Sequence, residues 1–131
     1  MKKVLICGDR NWVNTSSIRN MLWKLKANGF DTLIEGEAIG ADSIARDEAK
    51  KLGFTVLKFP AKWEEYKQKY PVAKFGMKWK TAGTDRNTQM LVEGKPDLVV
   101  AFHSDIKTSK GTKNMVNQAE KAGVRVILIE E

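Results

Sequence analysis

The chain has 131 residues, 42% of them hydrophobic and 30% charged, with 23 basic against 16 acidic side chains for a net charge of +7. That length supports one well-buried core, and no apolar run nears the roughly 20 residues of a membrane span or the roughly 7 to 15 of a signal-peptide core, so a single cytoplasmic domain is expected. One cysteine excludes an internal disulfide, one histidine leaves no transition-metal cage, and the positive balance favours an anionic partner, either a phosphorylated small molecule or a nucleic acid.

The first apolar run, Lys3 to Cys7, reads as a strand with Cys7 as a small hydrophobe at its end. In the "GDRNW" that follows, Gly8 permits a close turn and Arg10 offers a guanidinium to phosphate or carboxylate. Trp12 either stacks on a base or packs on the next helix. Asn14, Thr15 and Ser16 offer caps to a helix with Ile18, Met21, Leu22 and Leu25 on one face, stopped by Asn28-Gly29. A second strand, Thr32 to Glu35, leads into "EGEAIGADSIA". There Gly36 and Gly40, followed by Ala41 and Asp42 at a helix start, form a bend whose free N–H groups face the sheet edge. Asp42 is read as the helix cap in preference to an acceptor for a ribose hydroxyl. That helix turns Ile44, Ala45, Ala49 and Leu52 inward and ends at Gly53, before a third strand from Thr55 to Phe59.

Beyond Pro60 the alternation breaks. A short helix at 63–69 is followed by an irregular excursion, and residues 62–82 set Trp63, Tyr66, Tyr70, Phe75 and Trp79 among lysines. Such interleaving is the composition of a surface that tracks a single-stranded backbone and stacks bases, and spacings of three or four suit packing on the sheet equally well. "AGTDRNTQM" then places Arg86 and Asn87 on the first turn of a helix over roughly 85–93, with Met90 one turn on. A fourth strand, Leu98 to Phe102, runs into "HSDIKTSKGT". A helix from Thr112 to Ala122 and a fifth strand, Arg125 to Ile129, complete the chain. Neither a P-loop nor Gly-x-Gly-x-x-Gly is present. Gly111 and Thr112 can still hold a phosphate through helix N–H groups and a hydroxyl, although Thr112 reads equally as an ordinary cap.

Near-continuous apolar strands alternating with helices predict an α/β fold: a single doubly wound, Rossmann-like three-layer sandwich with a mainly parallel five-stranded sheet and right-handed crossovers. Ligands of such sheets bind beyond the carboxyl ends of the strands, where the strand order reverses.

Taken in order, "GDRNW", "EGEAIGADSIA", "FPAKW", "AGTDRNTQM", "PDLVVAF" and "GTKNMVNQAEKAGV" resemble the SLOG superfamily, the Rossmann-like group named for the Smf/DprA and LOG proteins, and within it the small stand-alone YspA-like branch. The resemblance runs from Lys3 to Val126 and omits the excursion at about 66–80. It implies a nucleotide-derived ligand, an adenosine nucleotide or a derivative of NAD or ADP-ribose, with no further cofactor and no metal. The implied pocket is lined by Gly8, Arg10, Trp12, Gly36, Gly40, Ala41, Asp42, Arg86, Asn87, Gly111 and Thr112. Assembly into homo-oligomers is also implied.

LOG-type phosphoribohydrolases carry a catalytic glutamate three positions after the Thr of their glycine loop. Here that position is Met115. A thioether can neither move a proton nor stabilise an oxocarbenium-like charge, and loss of general acid–base help forfeits about 10²–10⁴-fold in rate. The expectation is therefore a receptor or sequestering protein without strong catalysis. Its competitors are a glycosidic hydrolase that recruits Asp105, Glu37 or Asp42, and single-stranded nucleic-acid binding as in the DprA branch.

Overall fold

Residues Val4, Leu5, Ile6, Leu33, Ile34, Val99, Val100 and Ala101 are all fully buried in a computed structural model that describes the chain from Met1 to Glu131. Strands without a polar face are stable only between two covering layers, and helices supply both. The elements in order are β1 (Lys2–Gly8), α1 (Thr15–Ala27), β2 (Phe30–Glu35), α2 (Ala41–Lys51), β3 (Thr55–Lys58), α3 (Trp63–Lys69), α4 (Val72–Phe75), a 3₁₀ turn at Lys78–Lys80, α5 (Thr81–Val92), β4 (Leu98–Phe102), a 3₁₀ turn at Ile106–Thr108, α6 (Gly111–Lys121) and β5 (Arg125–Ile129). All strand pairs are parallel and the order is β3-β2-β1-β4-β5.

Alternation along β1 divides the core in two. Val4 and Ile6 join Ile18, Leu22, Phe54 and Phe102 under α1 and α2. Leu5 and Cys7 join Met90, Val99, Met115 and Ala119 under α5 and α6. Asn14 caps α1, its side chain accepting from Ser17 N at 3.2 Å, and the helix stops at Gly29 with φ 90°. No helix is long and apolar enough to cross a membrane.

Two local expectations are corrected. The helix expected at 85–93 begins at Thr81, because the Lys78–Lys80 turn runs straight into it and Thr81 Oγ1 donates back to Lys78 O at 2.8 Å. Arg86 and Asn87 thus lie on its second turn, where intrahelical bonding already uses their N–H groups. The excursion is also more ordered than its sequence suggests. Its rings pack edge-on against one another, Trp63 on Trp79 at 6.0 Å and Tyr70 on Phe75 at 5.4 Å, and no residue of α3, α4 or the 3₁₀ turn between α4 and α5 is buried.

Candidate functional site

The sheet order reverses between β1 and β4, the place where ligands of such sheets bind in the crevice beyond the strand ends. One wall is the β1–α1 loop. Asp9 fixes it: its N–H donates to Phe102 O at 2.8 Å, its carbonyl accepts from Trp12 N and Ala41 N at 3.1 Å each, and its carboxylate accepts from Asn11 N at 2.8 Å. Gly8 is required by this closeness, since a Cβ there would strike the Phe102 carbonyl oxygen and come within 2.9 Å of the Ala41 methyl. Gly40, at φ 77°, is required by the Arg10 backbone packed against it. Gly8, Gly40 and fully buried Ala41 therefore shape the crevice floor. The Arg10 side chain is exposed and enters no ion pair, leaving its guanidinium at the rim.

Trp12 is a correction to the base-stacking reading. Its ring is 7% exposed, stands edge-on to Phe102 at 5.5 Å and donates its indole N–H to Asn14 O at 3.0 Å. It belongs to the core beneath α1.

The β2–α2 loop forms the middle of the site, and Asp42 organises it differently from the capping role expected. The cap position is Gly40, which makes no side-chain bond, while Asp42 turns back so that Oδ2 accepts from Gly36 N at 3.1 Å and Ala38 N at 3.3 Å. From α5, Arg86 Nη1 donates to Gly36 O at 2.5 Å and its Nε to Asn87 Oδ1 at 3.1 Å. A side chain on Gly36 would displace the Arg86 guanidinium, which occupies that space. Burial pushes the Asp42 carboxyl up to about 7, against the opposing pull of the Arg86 guanidinium and the two N–H donors. Burial, reinforced by the neighbouring Asp42, also raises the Cys7 thiol and holds it protonated. Glu35 is fully buried, with Oε2 accepting from Glu37 N at 2.9 Å and Oε1 unpartnered, and burial raises it as well.

The third wall is the start of α6. The capping hydroxyl is Ser109, whose Oγ accepts from Thr112 N at 3.0 Å and Lys113 N at 3.4 Å, so Thr112 is not the cap. Thr112 is 7% exposed, whereas Gly111 is exposed and a Cβ on it would meet nothing within 4 Å. Asn87, 4% exposed, joins this wall to the middle one, with Nδ2 donating to Gly111 O at 3.2 Å and Asn114 Oδ1 at 3.1 Å. Met115 turns into the core against the sheet. His103 is spent on the loop backbone, its Nδ1 accepting from Asp105 N at 3.0 Å. No group of three or more His, Cys, Asp or Glu side chains is arranged to hold a metal ion.

The structure thus joins Gly36, Asp42, Arg86, Asn87 and Gly111 in one bonded network, sets Gly8, Gly40 and Ala41 behind it, leaves Arg10 at the rim and removes Trp12 to the core. Sequence reasoning missed Asp9, Ser109 and Asn114. Asp9 carried a signal, an Asp after a strand with a free N–H two residues on, and Ser109 carried another, a serine three residues before Thr112.

A family model described as "YAcAr: YspA, cpYpsA-related SLOG family" matches residues 2–66. The chain is 31% identical over 134 residues to the "Gene 61 protein" of Mycobacterium phage D29, across 97% of this chain and 95% of that protein. Its fold is similar to the X-ray structure of DNA processing protein A (DprA) from Streptococcus pneumoniae, with a TM-score of 0.72 and 18% identity. That likeness takes in 100% of this chain and 51% of the other, so the chain spans about half the length of DprA.

Proposed function

Because the chain belongs to the YspA, cpYpsA-related SLOG family, whose domains bind nucleotide-derived ligands, we propose that it is a receptor or sequestering protein for an adenosine nucleotide or a derivative of NAD or ADP-ribose. The observation that carries this reading is the pairing of Arg86 with Gly111 through Asn87. Two of the guanidinium nitrogens are anchored, which holds the third, Nη2, at low entropic cost, and Gly111 leaves open space at the positive end of α6. A phosphate between them meets a fixed charge and the N–H of Gly111, the next two donors of the helix being taken by Ser109 Oγ. Arg10, Lys107 and Lys110 add exposed positive charge around it.

In this reading the ligand is held and not cut. Met115 cannot act on a glycosidic bond, and two carboxylates of the site have other work: Asp42 accepts two backbone N–H groups and Asp9 braces its own loop. The cytoplasm suits such a protein, with Cys7 buried as a thiol, and homo-oligomers belong to the same reading.

The test is calorimetric titration with AMP, NAD and ADP-ribose against wild type, Gly111→Val and Arg86→Ala. A Val side chain at 111 enters empty space, so the fold survives while the phosphate position is blocked. Wild-type binding lost in Gly111→Val supports the site, and unchanged binding in both variants removes it.

A second reading has one observation in its favour. Seven lysines against Glu64 and Glu65 lie within residues 58–80, five of the net seven positive charges of the chain, and DprA is by its name a DNA processing protein. Lys78 covers the Tyr70 ring at 4.6 Å and Lys67 the Trp79 ring at 4.7 Å, so most ring faces are already taken. Single-stranded nucleic acid would be held here through its phosphates, with little stacking.

A further inference from the structure

We infer that the trough beyond β3, between residues 58–63 and α5, is the base subsite of the same ligand, receiving a planar heterocycle with adjacent hydrogen-bond donor and acceptor, as adenine has. The inference rests on the phosphate site proposed above and adds the direction in which the nucleotide lies.

A cavity of about 590 Å³ lies there, walled by Lys58, Phe59, Pro60, Trp63 and Gln89. A smaller one of about 220 Å³ adjoins it through Pro60, Lys62 and Gln89, and reaches Arg86 beside Tyr66 and Asp85. Arg86 is thus the junction. One edge of its guanidinium is bonded to Gly36 in the crevice, and the same side chain lines the trough. With its phosphate at Arg86, a nucleotide directs its ribose and base along the smaller cavity, which Arg86 lines, towards the larger one.

The chemistry of the walls selects the ring. Trp63 is held by its edge: it stands against Trp79 at 6.0 Å, and a Cβ on Gly83 would come within 2.9 Å of its Cη2. It is nonetheless 41% exposed. Lysine ammonium groups sit over Tyr70, Phe75 and Trp79, but none sits over Trp63. No ammonium group therefore competes with a base for its ring, as one does at Tyr70, Phe75 and Trp79. Gln89, which lines both cavities, enters no hydrogen bond through its amide, a group that presents a donor beside an acceptor and pairs with the matching edge of adenine. Lys62 is exposed and unpaired, whereas Lys58 is engaged with Glu37 at 3.6 Å. Tyr66 is engaged too, its hydroxyl donating to Asp85 at 2.6 Å. Stacking and the amide therefore remain as the recognition groups, with Lys62 beside them for a second phosphate.

The experiment is calorimetric titration of the full chain with AMP and with ribose 5-phosphate, in wild type, Trp63→Ala, Trp63→Phe, Gln89→Leu and Gly111→Val. The base subsite predicts that AMP binds more tightly than ribose 5-phosphate in wild type. Trp63→Ala should remove that advantage, about 5- to 150-fold for one stacked base. Trp63→Phe should restore part of it, Gln89→Leu should weaken AMP alone, and ribose 5-phosphate should respond only to Gly111→Val. If both ligands bind, depend on Gly111 and ignore Trp63 and Gln89, the subsite is wrong and the phosphate site stands. Binding of neither ligand, or indifference to Gly111→Val, overturns the phosphate site and the inference with it. Gln89→Leu replaces a half-exposed amide by a side chain of similar size, so its result remains readable if Trp63→Ala loosens α3.

Discussion

Asp42 shows how one buried carboxyl sets the response of the site to pH. It is 5% exposed, and its carboxyl is raised from 3.8 to about 7. A raised carboxyl means that the native state binds the proton more tightly than the unfolded chain. Its stabilising contribution is then complete below the unfolded value and fades as pH rises towards about 7. Glu35, raised by burial as well, adds a slope of the same sign. Denaturant unfolding at pH 4 and pH 7 should show wild type losing stability relative to Asp42→Asn over this window, by ~4 kcal/mol at most. A constant difference between the two proteins would show that Asp42 does not titrate there. Two glycines give a second contrast at this scale. Gly8→Ala drives a methyl into the Phe102 carbonyl and should destabilise by about 1–3 kcal/mol, while Gly111→Ala meets open space on a helix and should be neutral or stabilising by about 0.5–1 kcal/mol. Equal midpoints of urea unfolding would contradict the packing described at Gly8.

Among the elements, the α5–α6 seam decides whether the two halves of the site meet. Asn87 donates to Gly111 O and Asn114 Oδ1, and Gln118 Nε2 donates to Asn114 Oδ1 at 2.7 Å. Asn87→Asp would set a carboxylate against two acceptors. It should cost about 2–4 kcal/mol in stability and weaken nucleotide binding without touching the ligand; unfolding and titration of this one variant check both. The strands were legible in the sequence, because a sheet covered on both faces leaves its own mark in runs such as "VLIC" and "LVVAF". The start of α5 was not. "TAGT" reads as loop, yet Gly83 sits inside the helix, where the edge of Trp63 needs its missing side chain. Asp42 was misread because an acceptor two residues into a helix and a true cap share one sequence signature; only the fold of 36–40 brings Gly36 N to its oxygen. The trough was illegible, since residues 58–65 make one wall and only the fold brings Gln89 of α5 against them.

For the whole molecule, the strand order brings the ends of β1 and β4, Arg86 and the start of α6 to one edge, and it leaves the basic excursion outside both cores. Two charge-driven activities are thereby separated by their response to salt. Nucleotide binding through one arginine and one helix start should fall gently with ionic strength. Oligonucleotide binding along 58–80 should fall steeply, roughly one power of salt concentration per phosphate neutralised. The most direct measurement is a thermal-shift series with AMP, NAD, ADP-ribose and a short single-stranded oligonucleotide, on wild type and Gly111→Val. A small nucleotide at 100 times its dissociation constant should add about 2.7 kcal/mol to wild type and nothing to Gly111→Val. No shift with any small nucleotide, or a shift with the oligonucleotide alone that Gly111→Val leaves intact, would contradict the proposed site.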